Sequence, residues 1–255
     1  MSDVLIVIPA RYASTRFPGK PLARIGGVEM IVRVCRQAAR TGFDVAVATD
    51  DRRIADVVEG AGFRAVMTSA DHRSGTDRVR EAVDRLDTGA KVVVNIQGDE
   101  PFVRPSQIET LAGCFADPSV EIATLVRRFD REKGFDALFD PNLVKVTVAD
   151  NGDALYFSRS IIPYVRGTDW HHWLETADYL THVGVYAYRT DTLRKLTELP
   201  QSSLEKAESL EQLRWLQNGW RVRTALTDAP TVGIDTPADL EEAEAWLRDH
   251  SSELD

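Results

Sequence analysis

Cysteine is nearly absent from this chain. Cys35 and Cys114 are the only two, and neither sits in a CxxC or Cys/His spacing. A disulfide framework is excluded, and structural zinc has no ligand set of the usual kind. Both cysteines fall in apolar helical patterns and read as buried small hydrophobes. Long apolar runs are lacking too. Val4–Ile8 is far too short for a secretion signal or a membrane span, so the expected location is the cytoplasm, with no membrane partner. Neither GxGxxG nor GxxxxGK[ST] occurs, which argues against a dinucleotide-binding redox enzyme and a Walker-type phosphate loop. No internal repeat, low-complexity segment or clear inter-domain linker is visible, and 1–255 reads as a single domain.

What is present is ordinary for a folded protein. Hydrophobic residues make up 43 % and charged residues 28 %, enough for a large core without staples. The net charge of -9 is uneven. Residues 1–40 carry seven Lys/Arg against two Asp/Glu, and the remainder 24 against 38. An acidic chain of this kind is a poor nucleic-acid binder, whereas a local basic segment suits a small anion such as a nucleotide.

Periodicity supplies the fold class. Val4–Ile8, Val45–Ala48, Arg64–Met67 and Val92–Ile96 read as buried parallel strands. Helical spacing over Val28–Arg40, Arg53–Glu59 and Thr76–Leu86 alternates with them. That order predicts an α/β, Rossmann-like doubly wound, mostly parallel sheet. The second half is less regular. Strands are expected at Val144–Val148, Ala154–Ser158, Val183–Tyr188 and Trp220–Ala225, with one amphipathic helix over Leu204–Gln217. Residues 163–181 show no clear period. Thr236-Pro237 with Asp239 signals the start of a last helix reaching about Arg248.

Three segments after strands carry chemistry, because doubly wound sheets bind ligands beyond their carboxyl ends. Pro9–Pro21 places Arg11, Arg16 and Lys20 among small residues and prolines, as a phosphate-facing loop or a plain basic loop would. Asn95–Pro101 puts Asp99 at a strand end, as a Mg²⁺ ligand or a loop cap. Gly233–Pro237 carries Asp235, a second metal carboxylate or a favourable charge at a helix start.

Taken in order, these segments resemble a known family. Ile8–Leu22 (IPARYASTRFPGKPL), Ala48–Asp50, Met67–Arg78, Asn95–Pro101, Leu155–Arg159 with Ile162-Pro163, His182–Tyr186, Leu210–Arg214 and Gly233–Pro237 are similar to the 3-deoxy-manno-octulosonate (Kdo) cytidylyltransferases over nearly the whole chain. The resemblance implies transfer of CMP from CTP to the anomeric hydroxyl of Kdo, giving CMP-Kdo and diphosphate for lipopolysaccharide or capsule synthesis. It implies a nucleotide-diphospho-sugar transferase fold with a smaller β-rich subregion near 143–190 that binds sugar and helps form a homodimer. By the same resemblance Ala10, Arg11, Arg16, Lys20, Ser74 and Gly75 contact the nucleotide, with Lys20, Arg16, Asp99 and Asp235 as the catalytic set. Asp99 and Asp235 then hold Mg²⁺. Arg78, Gln97, Arg159, His182, Tyr186, Glu211 and Gln212 are implied at the sugar, Arg159 as a fork for its carboxylate. Alternatives are a synthetase for 8-amino-Kdo or another acidic sugar, and a non-catalytic nucleotide-binding module.

Overall fold

The structure is a computed structural model and describes residues 3–13, 17–229, 233–234 and 236–250, the side chains of 249 and 250 excepted. The strands are β1 (Val4–Ala10), β2 (Arg24–Ile25), β3 (Val28–Glu29), β4 (Asp44–Thr49), β5 (Arg64–Met67), β6 (Val92–Asn95), β7 (Ile122–Arg128), β8 (Lys145–Val148), β9 (Ala154–Ser158), β10 (Leu180–Arg189) and β11 (Arg223–Leu226). The helices are α1 (Met30–Ala39), α2 (Arg52–Gly60), α3 (Gly75–Leu86), α4 (Pro105–Gly113), α5 (Trp173–Thr176), α6 (Thr190–Thr197), α7 (Ser203–Glu208), α8 (Gln212–Gln217) and α9 (Pro237–His250). The chain divides into two compact units. Unit 1 is Met1–Gly113, Ala187–Thr197 and Ala229–Asp255, and unit 2 is Cys114–Tyr186 and Glu198–Asp228.

Unit 1 is the expected doubly wound core. β1 pairs in parallel with β4 (Ile8 opposite Val47) and with β6 (Ile6 opposite Val94), and β4 pairs with β5. The chain steps from β1 to β4 to β5, then α3 returns it to β6 on the other side of β1. The strand order therefore reverses between β1 and β6, and the carboxyl ends part there to leave a crevice. Leu5–Ile8 are all at most 2 % exposed, which is why this strand reads as an unbroken apolar run. Local signals start the helices: Asp51 caps α2 and Ser74 caps α3 through the Arg53 and Asp77 amides. At α9 the Thr236 amide donates to Asp239 Oδ2 (2.8 Å), and the Asp239 amide donates back to Thr236 Oγ1 (3.3 Å). α9 buries its apolar face on Ile25, Met30, Phe102 and Ile234, with Trp246 against Phe102 at 4.5 Å between ring centres.

Unit 2 holds β7, with β11 parallel beside it, and the antiparallel β8–β9 hairpin, which pairs through β8 with β10. Gly152 turns the hairpin at φ 84°, a left-handed value that favours glycine. The β-rich stretch expected at 143–190 lies within it, up to Tyr186. The unit also takes in β7, α7, α8 and β11.

Several elements differ from the sequence expectation. The single helix over Leu204–Gln217 is two, because Ser209 takes φ 51° and closes α7. Val28 and Glu29 form β3 rather than a first helical turn. The final strand of unit 2 begins at Arg223 instead of Trp220. Cys35 is buried, and that burial pushes its thiol up to about 12, but Cys114 is only half-buried. Sequence reading missed α4, α6, β7 and the β2–β3 hairpin; α4 has a weak apolar period and β2 and β3 are two residues each, whereas α6 and the apolar run of β7 were legible.

Candidate nucleotide cleft and a polar cluster in unit 2

The crevice of unit 1 is a cleft of about 290 Å³. Pro9, Ala10, Arg11, Lys20 and Pro21 line it from the segment that follows β1. His72, Arg73, Ser74 and Gly75 come from the β5–α3 loop, Arg78 from α3, and Gln97, Gly98 and Asp99 from the segment after β6. Eight residues singled out by sequence therefore share one cavity: Ala10, Arg11, Lys20, Ser74, Gly75, Arg78, Gln97 and Asp99. His72, Arg73, Pro9, Pro21 and Gly98 complete its wall. Their place in the loops that follow strands is the signal that could have found them. Arg16 and Asp235 lie outside the described residues.

Lys20 and Asp99 form the charged centre. Lys20 Nζ lies 2.6 Å from Asp99 Oδ2, with side-chain exposures of 13 % and 30 %. Lys20 opens a short 3₁₀ turn, Lys20–Leu22, whose preceding residue Gly19 has φ 72°. The Gly19 amide donates to Tyr12 O (3.0 Å), closing the loop base, and a Cβ at Gly19 would lie 3.1 Å from the Tyr12 ring. The Arg53 guanidinium sits 3.4 Å over the Tyr12 ring and is itself held by Asp51. On the other wall, the first amides of α3 and its positive dipole end open beside Ser74 and Gly75, which favours an anion or a base acceptor.

Gly98 is needed for a close approach. A Cβ there would lie 2.9 Å from Pro9 O, a backbone atom that cannot swing away. Gly98→Ala must displace the Pro9–Arg11 backbone. On the reading that the resemblance implies, kcat/KM for the nucleotide falls about tenfold, with a lower Tm, as overpacking strains the wall. Unchanged steady-state kinetics would show that the gap relaxes without moving the cleft.

Arg78, implied as a sugar contact, lines the cleft and is also held by two side chains. It is only 4 % exposed. Its Nη1 donates to Thr68 Oγ1 (2.6 Å) and its Nη2 to Asp50 Oδ2 (2.7 Å). It braces the ends of β4 and β5 as one wall of the cleft. Gln97 stands on the same side as Gly75, whose added Cβ would lie 3.8 Å from Gln97 Oε1.

In unit 2, His182 and Tyr186 pack together among aromatic rings, and Gln212 opens α8, the helix that carries Trp215. The His182 ring packs on Phe157 (5.1 Å) and Tyr186 (5.3 Å), and Tyr186 packs on Trp215 (5.1 Å). Burial pushes His182 down to about 3, so it is neutral at working pH. Its Nε2 lies 2.9 Å from Thr124 Oγ1, whose oxygen also lies 2.9 Å from Val185 O. Gln212, 4 % exposed, keeps a buried Nε2 that has no hydrogen-bond partner among the described residues. An orphaned donor of this kind is costly unless something occupies it. Glu211 leads into α8 beside it.

Arg159, implied as the fork for the sugar carboxylate, is engaged with backbone carbonyls in this structure. Its Nε donates to Glu208 O (2.6 Å), Nη1 to Pro141 O (2.7 Å) and Nη2 to Ser209 O (3.3 Å). The break between α7 and α8 leaves helix-end carbonyls bare, and Arg159 satisfies them. Glu208 in turn accepts from Ser158 Oγ and the Arg159 amide. Lys145, fully buried, donates to Arg159 O (2.5 Å) and Asp140 O (3.1 Å), a structural role sequence reasoning missed.

Among the described residues no group of three His, Cys, Asp or Glu could by itself enclose a metal ion. None of their helices is long and apolar enough to cross a membrane.

Known proteins resemble this chain over nearly its whole length. The cytidylyltransferase family model matches residues 5–224. A 3-deoxy-manno-octulosonate cytidylyltransferase from Parabacteroides distasonis is 54 % identical over 248 residues, 97 % of this chain and 99 % of that protein. One from Bacteroides thetaiotaomicron is also 54 % identical, over 96 % and 98 % of the two chains. The solved structure of CMP:2-keto-3-deoxy-manno-octonic acid synthetase complexed with CTP matches with a TM-score of 0.89 and 45 % identity, covering 98 % of this chain and 100 % of that one.

Proposed function

This chain belongs to the 3-deoxy-manno-octulosonate cytidylyltransferases, and from that premise we propose how its residues divide the work. The reaction transfers CMP from CTP to Kdo, releasing diphosphate. The observation that carries the assignment is likeness at about half of all positions across both full lengths, joined to the Lys20–Asp99 centre in a crevice at the strand-order reversal.

The unit 1 cleft is read as the CTP subsite. Ser74 and Gly75 face the cytosine, where helix-end amides suit the base's acceptors. Arg11 and Lys20, with Arg16, take the triphosphate. The anomeric hydroxyl oxygen of Kdo bonds to the α-phosphorus as the bridging bond to the β-phosphate breaks; diphosphate leaves with that electron pair, and the hydroxyl proton is released to water. Lys20 then balances the charge that grows on the bridging and leaving oxygens. Positioning and electrostatics supply most of the acceleration, and no covalent intermediate is needed. His182, Tyr186, Glu211 and Gln212 are read as sugar contacts, with the orphaned Gln212 amide ready for a hydroxyl or carboxylate oxygen. Arg159 supports them by holding the α7–α8 corner.

Mg²⁺ is the proposed cofactor. The site fits it: Asp99 is a partly exposed carboxylate beside the phosphate subsite, and this ion is usually held by one or two carboxylates plus substrate phosphates. Asp235 would be the second carboxylate. When bound, the ion neutralises triphosphate charge. The proposed setting is a cytoplasmic homodimer whose product feeds lipopolysaccharide synthesis. A sedimentation mass of a single chain would overturn the dimer, and recovery in a membrane fraction the location.

The test of substrate is diphosphate release from CTP and Mg²⁺ with Kdo, 8-amino-Kdo and N-acetylneuraminate offered separately. Release with Kdo at the highest kcat/KM is expected. Preference for 8-amino-Kdo would reassign the sugar, and silence with all three would leave only nucleotide binding.

A further inference from the structure

The β5–α3 loop, residues 68–74, delivers His72, Arg73 and Ser74 to the cleft, yet it has no regular structure of its own. Three side chains of α3, at positions 78, 81 and 85, hold it and the end of β5 that leads into it. That spacing sets them on one helix face. Arg78 holds Thr68 Oγ1, and Arg85 Nη1 donates to Met67 O at 2.8 Å. Glu81 is the middle tether. Its carboxylate accepts the Ser69 amide at 2.9 Å, makes a short contact with His72 Nε2, and pairs with Arg85. Burial pushes the Glu81 carboxyl up, but the Ser69 amide, His72 and Arg85 outweigh it, and it is held below the usual range.

A helix-surface ion pair would need Arg85 alone. The Ser69 and His72 contacts reach 12 and 9 residues back along the chain, into the loop. The loop then ends at Ser74, which accepts the Asp77 amide and starts α3 in the cleft wall.

We propose that Glu81 is a positioning residue for the nucleotide: through Ser69 and His72 it fixes the loop that sets Ser74 and Gly75 at the base end of the cleft. The role rests on reading Ser74 and Gly75 as nucleotide contacts. Glu81 itself lies outside the cleft lining and acts through the loop. Its loss therefore weakens CTP binding and leaves the chemical step intact. Alanine is the better helix former at this position, so Glu81→Ala keeps α3.

The experiment is calorimetric CTP binding without sugar, paired with steady-state kinetics, on Glu81→Ala, Glu81→Gln, Gly75→Ala and Asp84→Ala. Glu81→Ala is expected to raise the CTP Kd and KM about tenfold, with kcat and the sugar KM within about twofold, because charge-assisted hydrogen bonds are lost. Glu81→Gln, which still accepts the Ser69 amide, recovers to within about threefold. Asp84→Ala removes ion pairs to Arg80 on the same helix and to Arg194 on α6, away from the loop, and leaves the CTP Kd unchanged. Amide exchange at Ser69 rises in Glu81→Ala. A parental CTP Kd in Glu81→Ala overturns the proposal, as does an equal shift in Asp84→Ala. If Gly75→Ala also binds CTP like the parent, it is the reading of the subsite that fails. If Gly75→Ala weakens binding while Glu81→Ala does not, the positioning role alone falls.

Discussion

Lys20→Ala lowers kcat about 10²- to 10³-fold, the range typical of removing one donor aimed at developing charge. The ammonium is well placed for that role before substrate arrives. It is held in a 3₁₀ turn, with Leu22 N–H on Gly19 O at 2.8 Å and Ala23 N–H on Lys20 O at 3.0 Å. It is largely shielded, so its field is less damped by water than a surface lysine's. In the resting state it rests on Asp99, and triphosphate oxygens offer a competing partner of the same kind. Lys20→Arg is not expected to rescue turnover, because a planar fork replaces a compact point charge in a narrow turn. Single-turnover CMP transfer separates the outcomes. If the whole loss falls on KM for CTP, Lys20 binds ground state and transition state alike, and its role is affinity rather than rate.

Asp99→Asn is the second large effect, a fall in kcat of about 10³-fold with a marked rise in the Mg²⁺ concentration for half-activity. The amide keeps the volume and removes the charge. Two consequences are entangled, because the same carboxylate neutralises Lys20 at 2.6 Å. The double variant Lys20→Ala/Asp99→Asn disentangles them, since residues in direct contact are not additive. A double variant no worse than either single one means that the two act as a unit. Magnesium titration decides the rest. If Asp99→Asn leaves the half-activity concentration where it was, Asp99 is the partner of Lys20 and not a metal ligand.

Much of the cleft is legible in the linear chain. Its residues come from three runs, and each follows a strand whose apolar pattern is plain. A doubly wound order puts those strand ends together whatever the details. The use of individual donors is not legible in the same way. Arg78 and Arg159 both look like ligand-binding cations in sequence. One is turned to Asp50 and Thr68, the other to helix-end carbonyls. No local pattern shows which partner a long side chain will find 28 or 49 residues away. The α7–α8 break is hidden for a related reason: Leu204–Gln217 keeps helical spacing through Ser209, and only the tertiary capping by Arg159 makes the left-handed turn worthwhile. Glu81 reads as one more exposed helix charge, and only the loop folding back on it gives it partners.

The sequence by itself determined the α/β class, the start of α9, the cationic loop after β1 and, through its ordered motifs, the family. These rest on periodicity, capping residues and spacing, which act within a few residues and survive in the linear text. Tertiary structure alone decided that Lys20 meets Asp99 across 79 residues, that Gly98 allows Pro9 to approach, and that Arg159 supports a corner rather than standing free. Those are outcomes of packing, in which a buried donor takes whichever acceptor the fold brings within about 3 Å.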